Sequence, residues 1–322
     1  MTTRHQRFFA RVCLCLGLSL WLGLTPAMAN EEIYYLLTAA SKGDLAMVTA
    51  ILESGASANV KDEEGISVLM YAARKNQADV VLALLDKGAD INAKDTGGWT
   101  SLMFAAKKNN IAAASALLLK GADTAVRDTA GWSALGIAAA SGFAPTVDLL
   151  VKHGVDVNTQ SDGGVTVLMY AAKSGDIPTI TSLLDNKANM LARDHLGATA
   201  LMFAAREGHA SAVTLLANRG ALVNQKDLSK WSALTWAVKK SKFEAIRALL
   251  AAGADVNNLD AEGTPLLHVA VDTGKTDIVK LLLEHHAKVK AKDQYGLTAL
   301  VYALKGQRSE IVQLIKDAGG SY

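Results

Sequence analysis

Several short stretches of the sequence contain residue types that bind phosphate, bind metal ions or attack carbonyl groups in other proteins. The "GKT" at Gly274–Thr276 would end a phosphate-binding loop only if a glycine stood at position 269, and Val269 is there. The "EHH" at Glu284–His286 lacks the i, i+4 spacing that places two histidines on one helical face for zinc. The "GWSAL" at Gly131–Leu135 lacks the closing glycine of a serine-nucleophile turn. None of these stretches completes its motif.

Two further patterns resemble metal sites, and both recur along the chain. The "DVNNLDAEG" that starts at Asp255 resembles a calcium-binding loop, but related stretches occur in most of the sequence. A methionine stands after a leucine and before an aromatic residue at Met70, Met103, Met169 and Met202. We interpret these methionines as core filler, because a soft-metal site would need them to converge. The sequence therefore predicts no catalytic residue, no cofactor and no metal ion, and the protein is not expected to be an enzyme.

The methionines belong to a string that recurs at multiples of 33 residues: "GISVLMYAARK" at 65, "GWTSLMFAAKK" at 98, "GVTVLMYAAKS" at 164 and "GATALMFAARE" at 197. Such a period indicates an array of similar supersecondary units. Eight repeats follow a shorter capping segment, residues 30–61, and we expect residues 30–322 to form a single domain. We number the positions of each repeat from 0 at its opening residue. The opening residues are Asp62, Asp95, Asp128, Ser161, Asp194, Asp227, Asp260 and Asp293.

Each repeat contains the signals for two helices and a turn. Glycine at position 3 suits the turn, and serine or threonine at position 5 can cap the first helix. Leucine at position 7 and two alanines at positions 10 and 11 form a face for close packing, and the leucine pair at positions 22 and 23 supplies the inner face of a second helix. Pro145 and Pro178, at position 17, fit a first helical turn. Glycines such as Gly88 and Gly121 fit a left-handed helix end.

The pattern D-x-x-G-x-[ST]-x-L…A-A…L-L-x-x-G-A-D-x-N, repeated eight times, resembles the ankyrin repeat. The resemblance covers essentially all of residues 30–322 and implies an all-α solenoid of helix-turn-helix units with hairpin-like loops. The family's T-P-L-H is met only loosely, with His268 in register, so the usual threonine–histidine hydrogen bonds are not expected in the methionine repeats. Lys187 and His286 replace the helix-ending glycine, and Lys230 replaces the turn glycine, which predicts strained backbone there.

Aromatic and basic residues gather at a few positions of the repeat. In the ankyrin resemblance, position 4 lies on the concave side that contacts partners, and tryptophan there is a candidate binding hot spot. The aromatic residues at position 9 could instead form a half-buried ladder along the helices. The candidate partner-binding residues are Trp99, Trp132, Trp231, Trp236, Tyr71, Phe104, Tyr170, Phe203, Arg74, Lys107, Lys108, Lys173, Arg206 and Lys239.

The basic residues of this face come from positions 12 and 13 and from the residue before each repeat. Counted against the acids of the variable positions and the opening aspartates, they leave a small positive surplus. The sequence therefore indicates a modestly basic face that favours an acidic partner. Lysines in water near a helix end explain the same pattern without a partner.

The sequence has a second period of 99 residues, which is three times the 33-residue repeat. The "WSAL" at Trp132 matches the one at Trp231, and the residues around Met70 and Met103 match those around Met169 and Met202. We hypothesise that three repeats were duplicated as a block, so that one surface pattern occurs twice. Shared ancestry without functional meaning is an equally good explanation.

The first 29 residues have the composition of an export signal. A basic start precedes an apolar run from Val12 to Leu24, and Ala27–Ala29 forms a small-residue cleavage site. We expect cleavage after Ala29 and a periplasmic location, with secretion as the second choice. The apolar run has 13 residues, fewer than the roughly 20 of a membrane-spanning helix, which disfavours a retained anchor.

Removal of this signal changes the charge and the cysteine content. Cys13 and Cys15 both lie in it, so the mature chain has no thiol and no disulfide. Without Arg4, Arg7 and Arg11, 30 basic residues stand against 31 acidic ones, a net charge of −1. This balance disfavours a protein that coats nucleic acid.

By resemblance, we expect a non-enzymatic module of the bacterial envelope that binds a partner protein and protects, holds or inhibits an enzyme. We expect the mature chain to be monomeric by itself and not to insert into the membrane. Two alternatives remain open. One is a secreted effector or scaffold that acts on host proteins. The other is an envelope enzyme, which would need clustered acids or histidines in a cleft.

Overall fold

The structure, a computed structural model, describes the backbone of residues 26–321 and the side chains from residue 33 onward. Residues 1–25, which contain most of the predicted export signal, lie outside the described residues. The first helix begins at Pro26 and continues through the predicted cleavage position after Ala29. Within the described residues the chain forms 18 helices and no extended strand. This confirms the predicted all-α fold.

The chain divides into two compact units, Met1–Ala130 and Gly131–Tyr322. The described part of the first unit contains six helices. They are α1 (Pro26–Lys42), α2 (Leu45–Glu53), α3 (Val68–Arg74), α4 (Ala78–Asp86), α5 (Ser101–Lys107) and α6 (Ile111–Leu119). First helices pack on first helices, as α1, α3 and α5 do, and second helices pack on second helices, as α2, α4 and α6 do.

The second compact unit repeats this arrangement with twelve helices in its described part. They are α7 (Ala134–Ala140), α8 (Ala144–Lys152), α9 (Val167–Ser174), α10 (Ile177–Asp185), α11 (Ala200–Glu207), α12 (Ala210–Asn218), α13 (Ala233–Lys239), α14 (Phe243–Ala251), α15 (Leu266–Thr273), α16 (Thr276–Glu284), α17 (Ala299–Lys305) and α18 (Ser309–Asp317). Helix α9 packs between α7 and α11, and α12 packs between α10 and α14. Within each compact unit, the repeats thus bury their apolar sides against their neighbours in the sequence.

The predicted helix caps form in five of the eight repeats. Ser67, Thr100, Ser133, Thr166 and Ser232 accept the backbone N–H three residues on, which satisfies one unpaired donor of the helix start. Thr199 and Thr298 occupy the same position without making this bond, and Pro265 occupies it with no side chain that could.

The methionines at position 8 are core residues, as predicted. All four are at most 2% exposed. Two of them have a second role, because the sulfur atoms of Met70 and Met169 accept the backbone N–H of Ser67 and Thr166 at 3.3 Å. The sulfur therefore takes up a donor at the helix start, where the family pattern has a histidine.

The leucine pair of the second helix is less uniform than predicted. The leucine at position 22 is 0% exposed in every repeat that has one. At position 23, Leu118 and Leu250 are 8% exposed, whereas Leu85, Leu184 and Leu283 are only half-buried. Consecutive residues of a helix point about 100° apart, so both members of the pair cannot face the same neighbour. The small residues at position 10 of the first helices are fully buried throughout.

The backbone at the three glycine replacements is left-handed, as predicted. Lys187, Lys230 and His286 have φ angles of 66°, 58° and 64°. Residues other than glycine adopt this conformation at a cost of roughly 1–2 kcal/mol each. The two prolines also lie in the first turns of α8 and α10, as expected.

A short hairpin-like loop precedes the first helix of the repeats. In five of them, one isolated antiparallel bridge flanks the loop, for example between Lys226 and Ser232. The opening aspartate organises the turn: Asp62 Oδ1 accepts the N–H groups of Glu64 and Ile66 at 3.0 and 2.8 Å. The stretch that resembles a calcium loop is built in this way, because Asp260 Oδ1 accepts two backbone N–H groups of its own turn.

Candidate functional site

Nine of the fourteen predicted partner-binding residues form two clusters, and in each cluster an arginine stacks on aromatic rings. The Arg74 cluster, in the first compact unit, consists of Tyr71, Arg74, Trp99 and Phe104. The Arg206 cluster, in the second, consists of Phe203, Arg206, Trp231, Trp236 and Lys239. In both clusters the arginine follows an aromatic residue by three positions on the same helix, so the two side chains lie on one face.

In the Arg74 cluster the guanidinium lies above rings of two successive repeats. Its central carbon is 4.7 Å from the ring centre of Tyr71 and 6.0 Å from that of Phe104. Phe104 contacts Trp99 of its own repeat, with 5.3 Å between ring centres. These distances are those of cation–π and aromatic pair contacts.

The Arg206 cluster has the same construction. The guanidinium carbon is 5.0 Å from the ring centre of Phe203 and 5.6 Å from that of Trp236 in the next repeat. Trp236 meets Trp231 edge to face at 4.7 Å, and Lys239 lies 5.9 Å from the Trp231 ring. Phe203 is only 9% exposed, so Arg206 stacks on a buried ring. Trp231 and Trp236 are both half-exposed.

Trp132 and Tyr170 form a separate pair in the second compact unit, with ring centres 4.2 Å apart and planes inclined by 30°. The two rings come from successive repeats, because Ile137 occupies position 9 in the repeat of Trp132. Trp231 contacts a ring of its own repeat instead. The two tryptophans that match at 99 residues therefore have different surroundings.

The remaining predicted residues contribute charge at the surface. Lys107, Lys108 and Lys173 are all exposed. Within the described residues, Lys108 and Lys173 do not stack on a ring. Their exposed charges can attract an acidic surface.

A hydrogen bond that the sequence reading missed ties position 9 to the opening aspartate. Oδ2 of Asp62 accepts the Tyr71 hydroxyl at 2.8 Å, and Oδ2 of Asp227 accepts the indole N–H of Trp236 at the same distance. The nine-residue spacing of aspartate and Tyr or Trp was the available signal. These side chains therefore fasten the hairpin loop to the first helix as well as facing the surface.

The same bond occurs in the last repeat, where Tyr302 donates to Asp293 at 2.5 Å. It raises the pKa of Tyr302 to about 12 and lowers the pKa of Asp293. The hydroxyl bond to Asp62 likewise raises the pKa of Tyr71. Tyr170 is the exception, because Ser161 replaces the opening aspartate of its repeat and its hydroxyl donates no hydrogen bond within the described residues.

We expect Tyr302→Phe to lower the melting temperature at neutral pH and to change its pH dependence. The raised pKa of Tyr302 means that its contribution to stability is complete below pH 10.0 and is lost as the pH rises towards about 12. The lowered pKa of Asp293 means that the contribution of Asp293 is present above about pH 3.8 and is lost on further acidification. Melting curves from acidic to alkaline pH should show the difference between wild type and variant vanishing at both ends. Tyr170→Phe is the control, and an identical pH profile for both variants would contradict this assignment.

Some basic residues counted towards the predicted basic face have a structural role instead. Lys61, Arg193 and Lys226, each just before an opening aspartate, donate to the backbone carbonyl at the same position of the next repeat, 33 residues on. The acceptors are the carbonyls of Lys94, Lys226 and Leu259, at 2.9, 2.7 and 3.1 Å. Their charges remain near the loops, but their geometry is set by the fold.

The incomplete catalytic motifs are parts of the helical framework. Gly274 ends α15 with φ of 68°, and Thr276 begins α16, so "GKT" is a turn between helices. Ser133 of "GWSAL" caps α7. Across residues 26–321 no group of three or more histidines, cysteines and acids is arranged to hold a metal ion. In the same span, no helix combines the length and the apolar character needed to cross a membrane.

Stacked helix pairs with aromatic and basic clusters at their surface define a repeat protein of the protein-interaction class. Residues 36–128, 102–194, 168–260 and 252–321 match the family described as Ankyrin repeats (3 copies). These matches cover most of the chain, which therefore belongs to the ankyrin-repeat family. Ankyrin repeats are generic protein–protein interaction modules. A search among individual curated proteins gave no match.

Proposed function

We propose that this protein is a non-enzymatic binding module that holds, protects or inhibits a partner protein in the bacterial envelope. The observation that carries the proposal is that half-exposed Trp99 and Trp231 each pack against the position-9 ring of their own repeat, and that an arginine stacks on that ring. Tryptophan, tyrosine and arginine dominate the energetic centres of protein interfaces. Rings that are already ordered lose little conformational freedom on binding.

The export signal predicted from the sequence supports the envelope as the place of action. We propose that the mature chain begins at Asn30, is monomeric by itself and meets a partner with an acidic surface. Exposed Lys107, Lys108, Lys173 and Lys239 would speed the encounter with such a surface. Fractionation of cells into cytoplasm, periplasm, membrane and medium tests the location.

The binding surface is tested by replacing Trp99, Trp132 and Trp231 together by alanine. We expect the variant to keep the helical circular dichroism of the wild type, because the three tryptophans are partly exposed and stand just before the first helices of their repeats, not within them. We expect it to lose the partner, because each deletion removes a candidate anchor. Purified wild type and variant are immobilised, exposed to envelope extract, and the retained proteins compared by mass spectrometry.

A matched control replaces three exposed residues away from these rings, Leu119, Leu191 and Leu222, by alanine. This control should retain the same proteins as the wild type. If the tryptophan variant is folded and still retains them, these rings are not the binding surface.

A further inference from the structure

We propose that the Arg74 cluster and the Arg206 cluster are two equivalent carboxylate-binding sites, so that one chain engages two acidic peptide segments. This inference rests on the proposed binding function and specifies the chemistry of the partner. The spacing of the two clusters differs from the 99-residue period of the sequence. The two arginines are 132 residues apart, which is four repeats.

The two clusters are equivalent because the arginine–ring and ring–tryptophan contacts of one correspond to those of the other. Each arginine stacks on the position-9 ring of its own repeat, at 4.7 and 5.0 Å, and on that of the next repeat, at 6.0 and 5.6 Å. In both cases the second ring contacts a position-4 tryptophan of the same repeat, at 5.3 and 4.7 Å. The two sites therefore place an arginine, two position-9 aromatic rings and a position-4 tryptophan in the same order, although the identities of the position-9 rings differ.

The arginines have free capacity to bind a carboxylate. In the described part of the chain Arg74 forms no ion pair, and Arg206 pairs only through Nε, with the adjacent Glu207 at 3.3 Å. A guanidinium with rings against its face still presents N–H groups along its edge. That edge matches the two oxygens of a carboxylate.

The tryptophan beside each arginine favours a ligand that has an apolar group next to its carboxylate. Trp99 and Trp231 offer half-exposed apolar rings beside the two guanidinium groups. An extended segment with acidic side chains and an aliphatic residue would place a carboxylate on the arginine and the aliphatic group on the indole. Trp132 does not complete a third such site, because position 12 of the preceding repeat holds Lys107, which lacks the planar edge of arginine, and position 9 of its own repeat holds Ile137 in place of a ring.

The test uses the capped peptide Glu-Glu-Leu-Glu-Glu as the probe and the uncharged Gln-Gln-Leu-Gln-Gln as its counterpart. Titration is followed by NMR of the indole N–H groups and by calorimetry. We expect two equivalents of the acidic peptide per chain, with shifts of the Trp99 and Trp231 indoles. The uncharged peptide should bind at least about tenfold more weakly.

Single variants assign the sites. Arg74→Gln should remove the response of Trp99 and leave that of Trp231, Arg206→Gln should do the reverse, and the double variant should bind neither equivalent. Arg74→Lys and Arg206→Lys keep the charge and should still weaken binding at the altered site. Arg247→Gln is the control, because Arg247 is an exposed arginine that pairs with Glu244 and stacks on no ring within the described residues. Circular dichroism verifies that every variant is folded.

The inference would be overturned by no binding of the acidic peptide, by a single equivalent, or by two equivalents that persist in the double variant. Equal binding of both peptides would also overturn it, because the carboxylates would then be irrelevant. None of these results decides the proposed function, which depends on whether the tryptophan variant loses proteins from the extract. The two proposals can therefore fail separately.

Discussion

Replacing Leu183 by alanine is expected to lower the free energy of unfolding by about 3–5 kcal/mol. Leu183 stands at position 22 on α10 and is 0% exposed. Its removal leaves a cavity between helices that cannot close without moving the neighbouring repeats. Because each repeat is stable only through its neighbours, damage in the middle of the second compact unit affects both sides.

The adjacent Leu184 provides the control for this experiment. It has the same chemistry on the same helix but is half-buried, so Leu184→Ala should cost less than half as much. Urea unfolding followed by circular dichroism measures both variants. Equal destabilisation would mean that the two leucines share the core equally, contrary to the observed burial.

Replacing Asp227 by alanine is expected to lower the free energy of unfolding by about 2–4 kcal/mol. Asp227 is 7% exposed, and its carboxylate accepts the backbone N–H of Trp231 at 2.9 Å and the indole N–H of Trp236 at 2.8 Å. Alanine leaves both donors without this acceptor. The same change frees the two rings of the Arg206 cluster, so we also expect their indole NMR signals to broaden or move.

Asp194→Ala is the matched control for the side-chain bond. Asp194 also accepts two N–H groups of its own turn, but position 9 of its repeat is Phe203, which has no donor. Asp194→Ala should therefore be the milder change, and Trp236→Phe should reproduce part of the difference. If Asp194→Ala and Asp227→Ala destabilise equally, the indole bond contributes nothing measurable.

Much of the fold follows from the sequence, because its signals are local and occur eight times. The caps at Ser67 and Ser232, the buried Met103 and the left-handed Lys230 each depend on one residue within one repeat. Repetition strengthens such signals, since a pattern that recurs every 33 residues must serve the same local structure each time. The resemblance to the ankyrin repeat rests on these positions.

The candidate site was predicted as a set of residues, but its internal arrangement was not. The partner of Trp132 is Tyr170 of the next repeat, whereas Trp231 pairs with Trp236 of its own. This choice depends on the side-chain directions in two packed helices, and the spacing in the sequence permits both. The 132-residue spacing of the arginine clusters was not predicted for the same reason. It is defined by equivalent side-chain contacts, whereas the 99-residue period is defined by identical residues.

The loop bonds of Lys61, Arg193 and Lys226 also have a consequence for biosynthesis. Each side chain reaches a carbonyl 33 residues further along the chain, so the acceptor residue is synthesised 33 residues after the donor. A growing polypeptide can therefore complete a loop only once the following helix pair has emerged. These loop bonds therefore form in the order of translation. When synthesis stalls, the last repeat to emerge still lacks the carbonyl that its loop side chain binds in the native protein.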